Sequence, residues 1–180
     1  MNKTKIALAL VLSSISSWAA ADLNYTNFSI GYVDGDTFDV NTDGFSLAGS
    51  FAFTDRFHAL ASYDSLDAEG TDVDVLKLGA GYHAGIGSDM DFVTTFSLED
   101  VDIGNFSSDG IQITGGIRGG TSNSFEYFAD LVYEDIDDID SDTGLAAGIR
   151  FFPSRDLSFG INYRNVNEFD MLKLDIRFDY

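Results

Sequence analysis

Cysteine is absent from the 180 residues, proline occurs once, histidine twice, and Lys and Arg together number 10 against 30 Asp and Glu. Without cysteine there is no disulfide framework, thiolate metal site, cysteine nucleophile or lipidated N-terminal cysteine. A formal charge of -20 without clustered basic residues excludes nucleic-acid binding, because neutralising phosphates needs Lys and Arg. Long apolar runs are missing too, so no segment approaches the roughly 18 to 20 residues of a membrane-spanning helix. Rings, by contrast, are plentiful. Sixteen Phe and eight Tyr are too many for a disordered acidic chain.

The first residues read as a targeting segment. Lys3 and Lys5 make a positive start, Ile6 to Leu12 begin an apolar stretch that fades through serines to Trp18, and Ala19-Ala20-Ala21 supplies small residues before Asp22. This pattern predicts a signal peptide over 1–21, cleaved after Ala21, and a mature domain over 22–180.

The mature chain alternates. Phe45, Leu47, Gly49, Phe51 and Phe53 share one parity, and Ser46, Ala48, Ser50 and Ala52 the other, the period-two mark of a strand with two unlike faces. The same reading applies to strands around Phe28–Tyr32, Phe57–Tyr63, Leu76–Tyr82, Phe92–Leu98, Ile111–Ile117, Phe125–Tyr133, Leu145–Phe151, Leu157–Tyr163 and Leu172–Tyr180, ten in all. Short turns follow strands two, four, six and eight. Longer acidic segments, around Asp34–Asp43, Leu66–Asp72, Asp100–Asp109, Asp135–Asp142 and Asn165–Asp170, follow the odd-numbered ones. The repeating unit is one hairpin, which points to an up-and-down meander rather than a propeller or solenoid.

The aromatic distribution separates a membrane barrel from a soluble sandwich. Tyr32, Phe45, Tyr63, Tyr133 and Tyr163 lie at the acidic end of the apolar parity, and Phe53, Phe57, Tyr82, Phe92, Phe125, Phe151 and Tyr180 at the other. Two aromatic belts with an uncharged apolar band between them are expected of a transmembrane β-barrel, whose inward parity is polar. That parity carries Lys77, Arg118, Glu126, Asp130, Arg150, Arg164, Lys173, Asp175 and Arg177, a candidate lumenal network. A sandwich would have to bury the apolar face and could expose the other.

With its signal peptide, hairpin alternation, Gly81-Tyr82 pair and closing strand Leu172 to Tyr180, the chain resembles the small bacterial outer-membrane β-barrels that include the OmpA transmembrane domain and the OmpX/Ail group. The resemblance implies an all-β antiparallel up-and-down barrel in the bacterial outer membrane. It also implies recognition of the strand ending at Tyr180 by the barrel-assembly machinery. Familiar members have eight strands, so eight is the alternative to the ten counted, and the family carries over no catalytic residue.

Candidate chemistry is sparse. Asp39-Val-Asn41-Thr-Asp43-Gly44 matches the first half of a calcium-binding EF-hand loop, but Ser50 stands where the bidentate Glu belongs and strands flank it, so a polar hairpin is expected. No Ser-His-Asp arrangement or HExxH motif is visible, and no catalysis or cofactor is expected. Matching Tyr63 with Leu78 across the third connection pairs His58 with His83. Two imidazoles could share a proton or a metal, although zinc usually takes three protein ligands, and filling the lumen is the simpler role. Matching Tyr133 with Leu145 puts Asp130 opposite Gly148 and Glu126 opposite Phe152, with Arg150 in diagonal reach of both acids.

The sequence reading is a barrel with a structural or surface-interaction role through acidic extracellular loops. The alternative is a narrow porin-like channel for ions or small solutes. Expected partners are outer-membrane lipid and lipopolysaccharide, with loose divalent cations at the acidic loops.

Overall fold

A computed structural model describes residues 23–37, 40–120, 124–137, 140–167 and 169–180. The expected signal peptide and Asp39 lie outside the described residues. Ten strands follow in order: β1 Asn27–Thr37, β2 Val40–Ala52, β3 Phe57–Ala68, β4 Thr71–Gly85, β5 Met90–Ile103, β6 Phe106–Gly120, β7 Phe125–Ile136, β8 Asp140–Phe151, β9 Leu157–Val166 and β10 Phe169–Asp179. Every sequential pair is antiparallel, and β10 pairs with β1, so the sheet closes into a ten-stranded up-and-down barrel. Closure removes the free edges that an open sheet exposes.

The apolar parity faces outward. Ile30, Leu78, Leu98, Leu131, Leu145, Ile149, Ile161 and Leu174 are all exposed large hydrophobes, which a water-soluble surface would not gather into one band. Aromatic pairs flank that band: Phe125 and Phe151 meet at 5.2 Å between centroids near the short turns, and Phe45 and Tyr63 at 6.2 Å toward the acidic end. From Tyr133 to Phe125, β7 covers on the order of 26 Å of chain, enough, after the tilt of a barrel strand, to cross most of a hydrocarbon layer.

The acidic segments are not long loops, which corrects the expectation. Alternation persists through them with its polarity inverted, so the described strands run on through most of each segment. Val33, Leu66, Val73, Val75, Val101, Ile136 and Phe169 point inward and pack as one buried cluster, while Asp34, Asp43, Asp67, Asp72, Asp102, Asp109 and Asp135 are exposed. Below the boundary apolar side chains face out and charges face in. Above it the reverse holds, as in a soluble barrel. Tyrosines mark the change, donating hydrogen bonds upward from Tyr32 to Asp43 (3.1 Å), from Tyr63 to Asp74 (2.8 Å) and from Tyr133 to Asp135 (3.3 Å).

Both proposed registers are off by two residues, which preserves the face but changes the neighbours. Tyr63 faces Leu76 and His58 faces Gly81. The third connection is a two-residue turn in which Glu69 (φ 50°) and Gly70 (φ 91°) both take left-handed backbone, the requirement of a type I′ hairpin. In the fourth hairpin Leu145 faces Leu131, Asp130 faces Ala146, and Glu126 faces Arg150 directly.

Candidate functional site: a charged lumen between two stoppers

Seven of the nine residues expected in the lumenal network enter ion pairs, in three groups. Toward the acidic end, Glu134 is 1% exposed and acts as a hub. It accepts from Lys77 Nζ (3.1 Å), Gln112 Nε2 (3.0 Å), Asn167 Nδ2 (3.2 Å) and the Arg164 guanidinium. Lys77 also reaches Glu99 at 2.5 Å. Toward the short turns, Glu126 binds Arg118 (2.8 Å) and Arg177 (3.0 Å), and Arg177 continues to Asp179 (3.1 Å). Between them Arg150 pairs with Asp175 at 2.6 Å and donates to Ser158 (3.2 Å).

Arg150 therefore bridges not to Glu126 or Asp130, as the sequence suggested, but toward β10. The reason is Gly160, which lies opposite both Arg150 and Asp175; a Cβ there would run into the guanidinium and the carboxylate. Lacking that Cβ, β9 leaves a passage through which the pair meets. Among the described residues Asp130 and Lys173, expected in the network, make no ion pair; Lys173 donates instead to Ser46 Oγ at 3.5 Å. Glu99, Glu134 and Asp179 were missed. Their parity places them inward with Asp91, Glu126 and Arg177, but each stands at the margin of the apolar band, where the sequence reading ended its strands.

The short-turn end is filled by the segment before β1. Tyr25 stacks on His83 with centroids 3.7 Å apart and planes 5° from parallel, and lies 5.0 Å from His58. Arg118 covers its ring at 4.5 Å, and its hydroxyl donates to Asp91 (2.8 Å). Arg118 further donates to the Asn24 carbonyl (2.8 Å). Burial raises the Tyr25 phenol well above its ordinary pKa, with Arg118 opposing and Asp91 reinforcing.

His58 and His83 do meet, with Nδ1 atoms 3.4 Å apart, but not as a directly opposed pair. His58 lies over Gly81, and its ring occupies the space a Cβ would take there. Among the described residues no group of three or more His, Asp or Glu converges as a metal site. Asn41 and Asp43 stand in β2 on the outward face above the tyrosines, opposite Asp36 and Asp34, which is paired strand rather than a calcium-binding loop.

Between the two ends lies a lumenal chamber of about 430 Å³, lined by charged groups from several strands together with Leu60, Val93, Phe128 and Ala146. The valine-rich cluster closes it toward the acidic end, and Tyr25 narrows it toward the other.

This architecture, a closed up-and-down barrel with an apolar outer band and a charged interior, is that of outer-membrane β-barrels. Solved structures agree at the level of fold. The KdgM porin in complex with disordered oligogalacturonate aligns with a TM-score of 0.51 at 11% identity, over 84% of this chain and 99% of that one. The NanC porin aligns at 0.45 and 7% identity over 86% of this chain and 98% of its own, and the N-terminal β-barrel domain of Pseudomonas aeruginosa OprF at 0.37 and 15% over 88% and 100%. No protein-family model matches the sequence. No curated protein matches it either.

Proposed function

We propose that the chain is a narrow porin-like barrel of the bacterial outer membrane that passes ions or small solutes and rests in a closed state. The observation that carries this reading is the chamber of about 430 Å³ in the middle of the barrel. A purely structural barrel of this width can fill its interior with side chains, whereas here charged groups surround open space. Each closure is local. One is an apolar plug that includes Val101, 1% exposed, of the kind that gates by excluding water; the other is centred on Tyr25 in the segment before β1. The acidic end faces outward in this reading, the C-terminal strand that pairs with β1 is the part read by the assembly machinery, and divalent cations bind the acidic collar loosely beside lipopolysaccharide.

Conductance of the purified barrel in planar bilayers tests this. The native chain should open rarely, and Val101→Ser and Tyr25→Ala should each raise the open fraction. If neither variant nor the double variant conducts while remaining folded, the channel reading fails. That outcome would favour the second reading, a surface-interaction role, which rests on the acidic collar being held on paired strands rather than mobile loops.

A further inference from the structure

Among the described residues the ion-pair pattern leaves two lumenal charges, Lys173 and Asp64, without a salt bridge on either side of one serine. Lys173 on β10 sends its stem across Gly31 of β1, where a Cβ would lie only 3.2 Å from Lys173 Cγ. Its ammonium thereby comes to 3.5 Å from Ser46 Oγ on β2. Ser46 is directly paired with Asp64 on β3. Lys173 and Asp64 thus flank one serine and face the same chamber, yet among the described residues neither makes a salt bridge. Among the described residues, every other lumenal cation is paired with at least one carboxylate. Partly buried charges left apart in this way cost free energy that a pair would recover. From this site the inward face of β3 runs on to Leu60, and the chamber wall continues in Val93, Phe128 and Ala146.

We propose that this corner of the lumen is a binding site for a small zwitterion with an apolar tail, of the α-amino-acid class. The ligand carboxylate takes Lys173, its ammonium takes Asp64, and its side chain lies along the wall toward Leu60 and Phe128. The chemistry suits two protein charges of opposite sign on either side of one serine, because an α-amino acid carries its own two charges on groups bonded to one carbon and can complete both at once. The chamber volume falls in the range of small-molecule sites. This inference deepens the solute-permeation reading but requires only that the lumen admit the ligand.

The test is titration of the refolded full chain in detergent micelles, followed by amide NMR shifts, with three probes: leucine, N-acetylleucine and leucinamide. Leucine should saturate with shifts centred on β2, β3 and β10, and each single-charge probe should bind at least fivefold more weakly. Lys173→Met and Asp64→Asn should each weaken leucine at least fivefold. Asp130→Asn, a lumenal acid elsewhere in the chamber, should leave it unchanged; heat-modifiability gels confirm that each variant is folded. Equal binding of the three probes would overturn the proposal, as would no leucine binding to either the native chain or Tyr25→Ala, in which the narrowed end is opened. Binding without conductance would sink the channel reading alone, and conductance without binding would sink the site alone.

Discussion

Replacing Glu134 with Ala removes the acceptor on which Lys77, Gln112, Arg164 and Asn167 converge. Its carboxylate is almost fully enclosed, so water cannot take over its role in the folded barrel. Stranding the partners of a buried ion pair typically costs about 3–5 kcal/mol. Two features put this case at the lower end. Lys77 keeps Glu99 at 2.5 Å, and the Arg164 side chain retains 24% of its exposure and can turn toward lumenal water. The expected loss is therefore about 3 kcal/mol, roughly two powers of ten in the folding equilibrium constant. The neighbouring Asp135 is the natural comparison, because it stands on the opposite face of the same strand, exposed among other acids, and Asp135→Ala should cost almost nothing. Urea titration of the barrel in lipid vesicles, with folded and unfolded forms separated on unboiled gels, gives both midpoints. If Glu134→Ala and Asp135→Ala shift the midpoint equally, the hub is not an energetic feature of the lumen.

Three further outcomes are expected. Arg150→Leu strands Asp175 and should lower stability well beyond Arg155→Leu in the exposed turn, read as the temperature at which the compact gel band disappears; equal effects would count against the bridge over Gly160. Like charges directly opposed across strands, such as Asp43 with Asp67 and Asp67 with Asp72, destabilise a sheet, so raising salt from about 50 mM to about 500 mM should raise the melting temperature. Asp72→Asn should raise the low-salt value and weaken that dependence, and a flat salt response would show that the collar carries no repulsion. Cysteines placed at Glu69 and at Asp89, in turns at opposite ends, should be labelled from outside intact cells only at the first; labelling only at Asp89 would invert the orientation.

Strand number and facing were legible because one rule, apolar out and polar in, held over each membrane-crossing segment long enough to be counted. The same rule hid the strand ends. Where Val73-Asp74-Val75 and Val101-Asp102-Ile103 continue the alternation with its sense reversed, a reading tuned to outward apolar residues stops and assigns loops. Register was less accessible, because it depends on whether Glu69 accepts left-handed backbone, and the type of turn is not a matter of hydrophobic pattern. The histidine pair shows both effects. Its residues were matched through the wrong register, and they meet nonetheless because Gly81 leaves space for the His58 ring. The ion pairs were legible as a class but not as partners: Arg150 has acids on both neighbouring sides, and the missing Cβ of Gly160 decides between them.

The reversal of polarity along single strands also fixes the barrel's height in a bilayer. Sliding it one pleat toward the short-turn side would carry Asp43, Asp74 and Asp135 down to the bilayer level now held by the tyrosines that bond them. Each acid near the interface costs little to immerse, but the collar repeats the feature on strand after strand, so the sum opposes the movement. Sliding the other way would lift Leu76, Leu98 and Leu131, each exposed at present, toward water, at about 25 cal/mol for each Å² of apolar surface transferred. The inward valine cluster makes the extramembrane part rigid enough for this to act as a stop, because the collar cannot splay to relieve the strain without exposing that core. Weakening the cluster should therefore loosen the collar before it loosens the membrane band. In Val101→Ser, hydrogen exchange should accelerate at amides of Val73 to Val75 and Val101 to Ile103 while those of Leu78 to Tyr82 stay protected. Uniform acceleration along β4 and β5 would mean that the two parts open as one unit and that the boundary has no mechanical role.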